Sequence, residues 1–579
     1  MRRETWRRVT LLAALASSAG CDVGSHSILA APPDAGQVVD AGAVIDTGVG
    51  AWPPSMAPVA PVPMDAVTVF AFSQVATSAS DPQVTQLAPD MSIRSWQRWD
   101  RGGVAPTDYD FAYVTACQAR GVRFIGGTTA TALFQDEFTD ASELQAILTR
   151  DASGAVVSHD SIVPGMRRGS LADPDYRAYL VNIGKIQIDG GVDGIFFDEV
   201  NGDYDGATGD YGDEGFDDHH LADFNGYLLW RYPGADVASM FGMAPDNVLR
   251  ADLPAGDLTG NFNYRTYLAS HGWAASPFAA ANPLAAVWGR TLANRPAPSP
   301  TTFVDTAEPY RYWQQMVSEL RAYAQQTYHR SLFITSNGVW PFVDFQSVGL
   351  YDYNEDDDGG AQANYVPVVS AADPHLDGTQ SLQRPFLNLA ARSAALAPGA
   401  PVVLFIDWPT TFSQYYLGFT AQERMDYWRL YAAEAYANGL FFAFFLMDTV
   451  GDPSATTLGL MPFFTGLAGF YRAHAGLYHG VTRSAVKVTT SLPTAMVAVS
   501  DQASPHRLLV HLVNHAYAGG IVAQSNVAVS IAAAAAPAGV TLASPDAAQD
   551  VALPFTYAGG QIAVTVPALD AYAIVVVSY

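Results

Sequence analysis

A chain of 579 residues, 49% hydrophobic and 15% charged, is long and apolar enough to fold as a large globular domain with a smaller one beside it. Its formal net charge of -26 argues against nucleic acid as a partner, because phosphate binding needs a basic surface, and fits a neutral or cationic ligand. With only Cys21 and Cys117 present, no disulfide framework is available.

At the N-terminus, Arg2, Arg3, Arg7 and Arg8 precede VTLLAALASSAGC, an apolar core too short to span a bilayer as a stable helix. Ser18-Ala19-Gly20-Cys21 resembles a bacterial lipobox, so residues 1–21 read as a lipoprotein signal peptide, with an ordinary signal peptide cut near Ala19 as the alternative. This reading places the chain at the cell envelope or outside the cell, touching membrane only through a lipid on Cys21. Residues 22–62 are Ala, Pro, Gly, Val and Asp without a sustained period and read as a disordered linker. Cys117 falls in the helical pattern FAYVTACQARG and reads as a small core residue.

Strand-like runs then alternate with helices. The strands are predicted at Ala66–Phe72, Val122–Gly126, Ser161–Met166 (the weakest), Gly194–Phe197, Leu332–Ser336, Val348–Tyr353, Val402–Ile406 and Leu440–Leu446. Helical patterns sit at Phe111–Arg120, Tyr176–Ile188, Glu308–Thr327 and Ala421–Asn438, with a shorter one at His219–Trp230. The helix from Ala421 opens on a capping box, Thr420 with Glu423, and stops at Gly439. Its Tyr427, Leu430, Tyr431 and Ala435 form a stripe for the barrel, and Glu434 is expected at the stripe's edge. Eight strands alternating with helices predict a (β/α)8 TIM barrel over residues 63–480, with a long insertion at 200–307. A doubly wound open sheet is the rival, disfavoured because no GxGxxG or phosphate loop follows an early strand. From 481 to 579 the period changes to short strands such as RLLVHLVNH and YAIVVVSY, which predict a C-terminal antiparallel β-sandwich.

Chemistry is sought at the carboxyl ends of the barrel strands. GVDGIFFDE runs an apolar strand straight into Asp198 and Glu199, and charge there is costly unless a partner, water or substrate meets it. Other strand ends bring Arg94, Trp96, Trp99 and Asp100, then Arg168, Asn337 with Trp340, Asp352 with Glu355, Asp407 with Trp408, and Asp448. Carboxylates ending four strands with tryptophans among them suit sugar chemistry. One carboxylate stabilises an oxocarbenium-like centre, another protonates the leaving oxygen, and flat aromatic faces stack on sugar rings.

GVDGIFFDE, preceded by ADPDYRAYLVNIGKIQID, resembles the fourth-strand region of retaining glycoside hydrolases related to α-amylases, α-galactosidases and dextranases. ITSNGVWP followed by VGLYDYNED resembles the fifth and sixth strands of the dextranase-like branch and of uncharacterised glycosyl hydrolases, and AAEAYANGLFFAFFLMD their eighth strand. The resemblance covers residues 63 to 579. It implies cleavage of O-glycosidic bonds in a polysaccharide or oligosaccharide, with Asp198 as nucleophile and Glu355 as acid/base, Asp352 being the nearby rival. Glu199, Asn337, Asp352, Asp407, Trp408, Trp340 and Arg168 would then bind substrate. The chain departs from ordinary α-amylases, which carry an Arg where Phe196 stands and the acid Glu where Asn337 stands.

The loop after Asp198 holds Asp203, Asp205, Asp210, Asp213, Glu214, Asp217 and Asp218, then His219 and His220. Its density of hard oxygen ligands is that of a structural calcium site, but the spacing matches no complete EF-hand, so it reads as a solvated acidic loop and no cofactor is expected. Two other functions compete with hydrolysis: a non-catalytic carbohydrate-binding surface lipoprotein on the same scaffold, and a metal-dependent hydrolase using this loop.

Overall fold

The computed structural model describes residues 62–64, 67–73, 82–93, 111–129, 132–134, 141–157, 166–198, 200, 215–289, 311–349, 383–405, 420–447 and 455–579. Eight parallel strands close into a barrel: β1 (Phe70–Ser73), β2 (Met91–Ile93), β3 (Arg123–Thr129), β4 (Gly194–Asp198), β5 (Phe333–Asn337), β6 (Phe345–Gly349), β7 (Val402–Phe405) and β8 (Phe441–Met447). Each pairs with its neighbours in chain order, and β8 pairs with β1, so no edge is left open.

The barrel departs from the sequence expectation in three respects. The second strand is Met91–Ile93, too short to register as an apolar run. The described end of the predicted Ser161–Met166 strand, Met166–Arg168, lies outside the barrel and pairs antiparallel with Ala132–Phe134. The sixth strand begins at Phe345, upstream of the predicted Val348–Tyr353.

Side-chain alternation fills the barrel with aromatic rings. Phe70 meets Phe345 at 5.9 Å and Phe441 at 5.6 Å across the lumen. Above them Phe72 stacks on Phe405 at 4.6 Å, and Phe196 meets Phe405 edge-on at 6.4 Å. All but Phe441 are at 0% exposure, and burying each such ring contributes roughly 1.5–3 kcal/mol. The alternate residues face the helices: Phe197 packs on Trp313 of the helix Arg311–Tyr328, and Phe442 on Trp428 and Tyr431 of the helix Ala421–Ala437. The capping box of that second helix is present, with Thr420 accepting from the Glu423 N–H and Glu423 accepting from the Thr420 N–H.

At the amino ends of the strands one device recurs three times. Asp90, Asp193 and Asp344 stand immediately before β2, β4 and β6. Each donates its N–H to one residue of the preceding strand and accepts that residue's N–H on its carboxylate: Val69, Phe124 and Ile334 respectively. Asp344 is also 2.6 Å from Arg321, and it accepts the Val62 N–H at 2.6 Å, fixing where the chain enters the barrel. This is the end of a barrel where such residues serve stability rather than catalysis.

Beyond the barrel, two antiparallel sheets of six and four strands make the C-terminal β-sandwich, spanning Val481 to Ser578. The sandwich packs on the helix Ala421–Ala437. Arg429 bridges Asp426, Asp546 and Asp570, and Asp426 accepts the Ile521 N–H. Glu434, expected at the edge of the barrel-facing stripe, is fully buried because the sandwich covers it, with His515 Nε2 2.9 Å from its Oε1. Within the sandwich His511 is buried against the Tyr572 hydroxyl at 2.8 Å. Burial, with Arg483 nearby, pushes its pKa from 6.5 down to about 3. The unfolded chain therefore takes up this proton first, and stability falls as pH drops below 6.5 towards 3. Between pH 6.5 and 4.5 the loss is about 2–3 kcal/mol. His511→Asn is expected to flatten that slope in denaturant titrations at the two pH values.

No helix among the described residues is long and apolar enough to cross a membrane.

Candidate functional site

Which way Asp198 points follows from the pleat. Phe197 faces outward onto Trp313, so Phe196 and Asp198, one position to either side, face the lumen. Phe196 is registered with Thr335 and Phe197 with Ser336. One residue further along, Asp198 and Asn337 stand level on adjacent strands, and Asn337 is registered with Ser347 on β6. Asp198, Asn337 and Ser347 thus form one polar band at the carboxyl end of the lumen, above the layer of Phe72, Phe196 and Phe405. The Thr335 hydroxyl, 2.8 Å from Ser347 Oγ and donating to the Phe345 carbonyl at 2.7 Å, confirms that β5 and β6 present these residues inward. Asp198 is 3% exposed, so its carboxylate is largely removed from bulk water and its desolvation is costly.

Asn337 is held by its backbone. Its carbonyl accepts from the Trp340 indole N–H and from the Ser336 hydroxyl. The next residue, Gly338, has φ +92°, and a Cβ there would lie 2.9 Å from Trp340 Nε1. Outward-facing Gln346 closes the turn by accepting the Trp340 N–H at 2.8 Å and donating to its carbonyl at 2.9 Å. The Asn337 Oδ1 is buried and has no hydrogen-bond partner among the described residues, a state that costs roughly 1–3 kcal/mol when no donor arrives. Gly338→Ala is expected to cost about 1–3 kcal/mol through the left-handed φ and the clash. Thermal melting and kcat should fall together, since the turn carries Asn337.

Trp340 was expected to offer a flat face to sugar. It is 5% exposed, stacked beside Phe342 at 6.2 Å, and Phe342 stacks on Trp313 at 5.5 Å. Its ring belongs to the packing behind β5, where it fixes the Asn337 backbone. Arg168 does not end a barrel strand. It lies on the strand paired to Ala132, three residues past Thr129, which is registered with Asp198. This two-stranded sheet therefore begins at the same mouth, and Arg168 is 2% exposed within it. Ser347, Thr335 and Gln346 escaped the sequence reading. The signal for Gln346 and Ser347 is FQSVG, a polar pair inside an otherwise apolar strand, and for Thr335 it is FITSN, where a polar end follows an apolar start. Glu199, Asp352, Glu355, Asp407 and Trp408 lie outside the described residues, as do Arg94, Trp96, Trp99, Asp100, Asp448 and the acidic positions from Asp203 to Glu214.

The histidines after that acidic stretch are tied to helix caps. Asp217 caps the helix Asp218–Arg231, with the His220 Nδ1 2.7 Å from its carboxylate and the Ser170 hydroxyl 3.2 Å from the same nitrogen. Burial raises the Asp217 pKa, but the His220 ring and backbone N–H outweigh it and hold the group at about 2. Asp173 caps the helix Pro174–Asp189 and lies 3.4 Å from His219. Among the described residues no group of three or more His, Cys, Asp or Glu side chains could hold a metal ion. The insertion has an apolar core of its own, in which Trp288 packs on Phe216, Phe224 and Tyr264 at 4.9 Å each.

No protein-family model matches the chain, and no curated protein matches it. Among solved structures it is similar to a cycloisomaltooligosaccharide glucanotransferase from Paenibacillus sp. complexed with cycloisomaltoheptaose (12% identity, TM-score 0.49, 88% of this chain and 85% of that one). It is also similar to a maltogenic α-amylase from Thermotoga neapolitana (9%, 0.48, 89% and 100%) and to an α-amylase from H. orenii (9%, 0.45, 89% and 100%). With identities this low, function has to come from the residues at the mouth of the barrel.

Proposed function

We propose that this protein is a glycoside hydrolase that cleaves O-glycosidic bonds of an oligosaccharide or polysaccharide by a two-carboxylate retaining mechanism. The observation that carries this reading is Asp198, a buried carboxylate aimed into the carboxyl end of a closed parallel barrel, level with an amide and a hydroxyl. In this mechanism an Asp198 oxygen bonds to the anomeric carbon as the bond to the leaving oxygen breaks. The Glu355 carboxyl gives that oxygen its proton. Glu355, now ionised, takes a proton from water as the water oxygen attacks the anomeric carbon and frees Asp198. Glu355 is the assigned partner because it follows β6 in the chain, two strands from Asp198, and because Asn337 leaves the end of β5 without an acid. Asp407 and Arg168 are assigned to substrate.

The purified protein on a panel of defined polysaccharides should release reducing ends from at least one. Glycan binding without product across the panel would favour a binding protein and overturn the reading.

A further inference from the structure

We propose that Asn337 reads the hydroxyl on the carbon next to the reacting anomeric carbon, so that the site takes glycosides with a free 2-hydroxyl and refuses 2-acetamido sugars. This rests on the reading of Asp198 as the attacking group. Asp198 and Asn337 each stand one residue past the registered pair Phe197 and Ser336, at the same level of the lumen. Adjacent strands are about 4.8 Å apart. The carbon that bears the 2-hydroxyl is bonded to the anomeric carbon, so a sugar whose anomeric carbon meets Asp198 has that hydroxyl within reach of what the neighbouring strand offers. What β5 offers is a carboxamide oxygen that is buried and has no partner among the described residues. The backbone that carries the amide is held, because Trp340 and Ser336 donate to the Asn337 carbonyl and Gly338 turns the chain with φ +92° directly after it. A hydroxyl fits between two such groups and donates to Oδ1. An acetamido group adds three heavy atoms in the same gap and brings a carbonyl oxygen towards another acceptor.

The test uses 4-nitrophenyl gluco-, galacto- and mannopyranosides of both anomers, with their 2-deoxy and 2-acetamido counterparts. Wild type should prefer the 2-hydroxy glycoside over its 2-deoxy partner by about 10²-fold or more in kcat/KM and leave the 2-acetamido sugars uncleaved. Asn337→Ala should lose that factor on the 2-hydroxy substrate only, bringing the ratio near one. Asn337→Asp, which keeps an acceptor in the same shape, should retain a preference and shows that the site still folds. An unchanged ratio in Asn337→Ala, or wild-type turnover of the 2-acetamido series, overturns the inference. Asp198→Asn separates the two failures. If that variant still turns over substrate, or if wild type cleaves neither these glycosides nor any polysaccharide of the panel, the reading beneath has failed. If Asp198→Asn is inactive and Asn337→Ala keeps the ratio, only the role of Asn337 has.

Discussion

Asp198→Asn is expected to lower kcat by roughly 10⁴-fold or more, about 5 kcal/mol of barrier, while leaving the barrel intact. The amide has nearly the volume of the carboxylate, so Phe196 and Phe405 below it keep their packing. What disappears is the nucleophile and its negative charge at the developing cation. A carboxylate at 3% exposure costs free energy to hold, so the variant should melt at the same temperature as wild type or higher. Kinetics and melting measured side by side decide the matter. Loss of activity in parallel with loss of fold would make Asp198 a structural residue, and retained activity would remove it from the chemistry.

The largest expected effect on stability lies at the opposite end of the barrel. Asp344 has a side chain at 0% exposure that receives Arg321, the Ile334 N–H and the Val62 N–H. Burial pushes its pKa above the usual carboxylate range in spite of these partners, so holding the charge there is itself costly. Truncation is costlier, because it takes one acceptor from the Arg321 guanidinium and removes the acceptor of the Ile334 and Val62 N–H groups. Asp344→Ala should therefore lose roughly 3–5 kcal/mol in urea unfolding. Asp193→Ala, in the equivalent position before β4 with the Gln118 amide where Asp344 has Arg321, should lose less. Equal losses would mean that the arginine adds no more than that amide does.

How far the sequence reads correctly can be traced residue by residue. β4 was legible because its face-alternating residues are all apolar up to Asp198, and the charge marks the end. The Thr420–Glu423 capping box was legible because capping is local. β2 was not, since three residues carry no period and its position depends on Asp90 clamping Val69. β6 was displaced downstream because Ser347 and Gln346 interrupt the apolar run. One is turned to a polar lumen and the other to the Trp340 turn, and neither is visible without β5 alongside. Trp340 and Glu434 were misplaced for a shared reason. Each is buried by a partner far away in sequence, Trp340 by the stack running through Phe342 to Trp313, and Glu434 by the sandwich through His515. Most of the barrel strands could be read from the sequence, but the packing behind them could not.

The proposed attack of Asp198 on the anomeric carbon leaves a covalent intermediate that can be trapped. Incubating the protein with 2-deoxy-2-fluoro glycosyl fluorides of gluco, galacto and manno configuration slows release of the covalent intermediate, and peptide mass spectrometry then locates it. The account expects a single glycosyl adduct on the peptide GVDGIFFDEVNGDY, carried by Asp198. An adduct on Glu199 or on any other carboxylate, or a product of inverted configuration with no adduct, would contradict it.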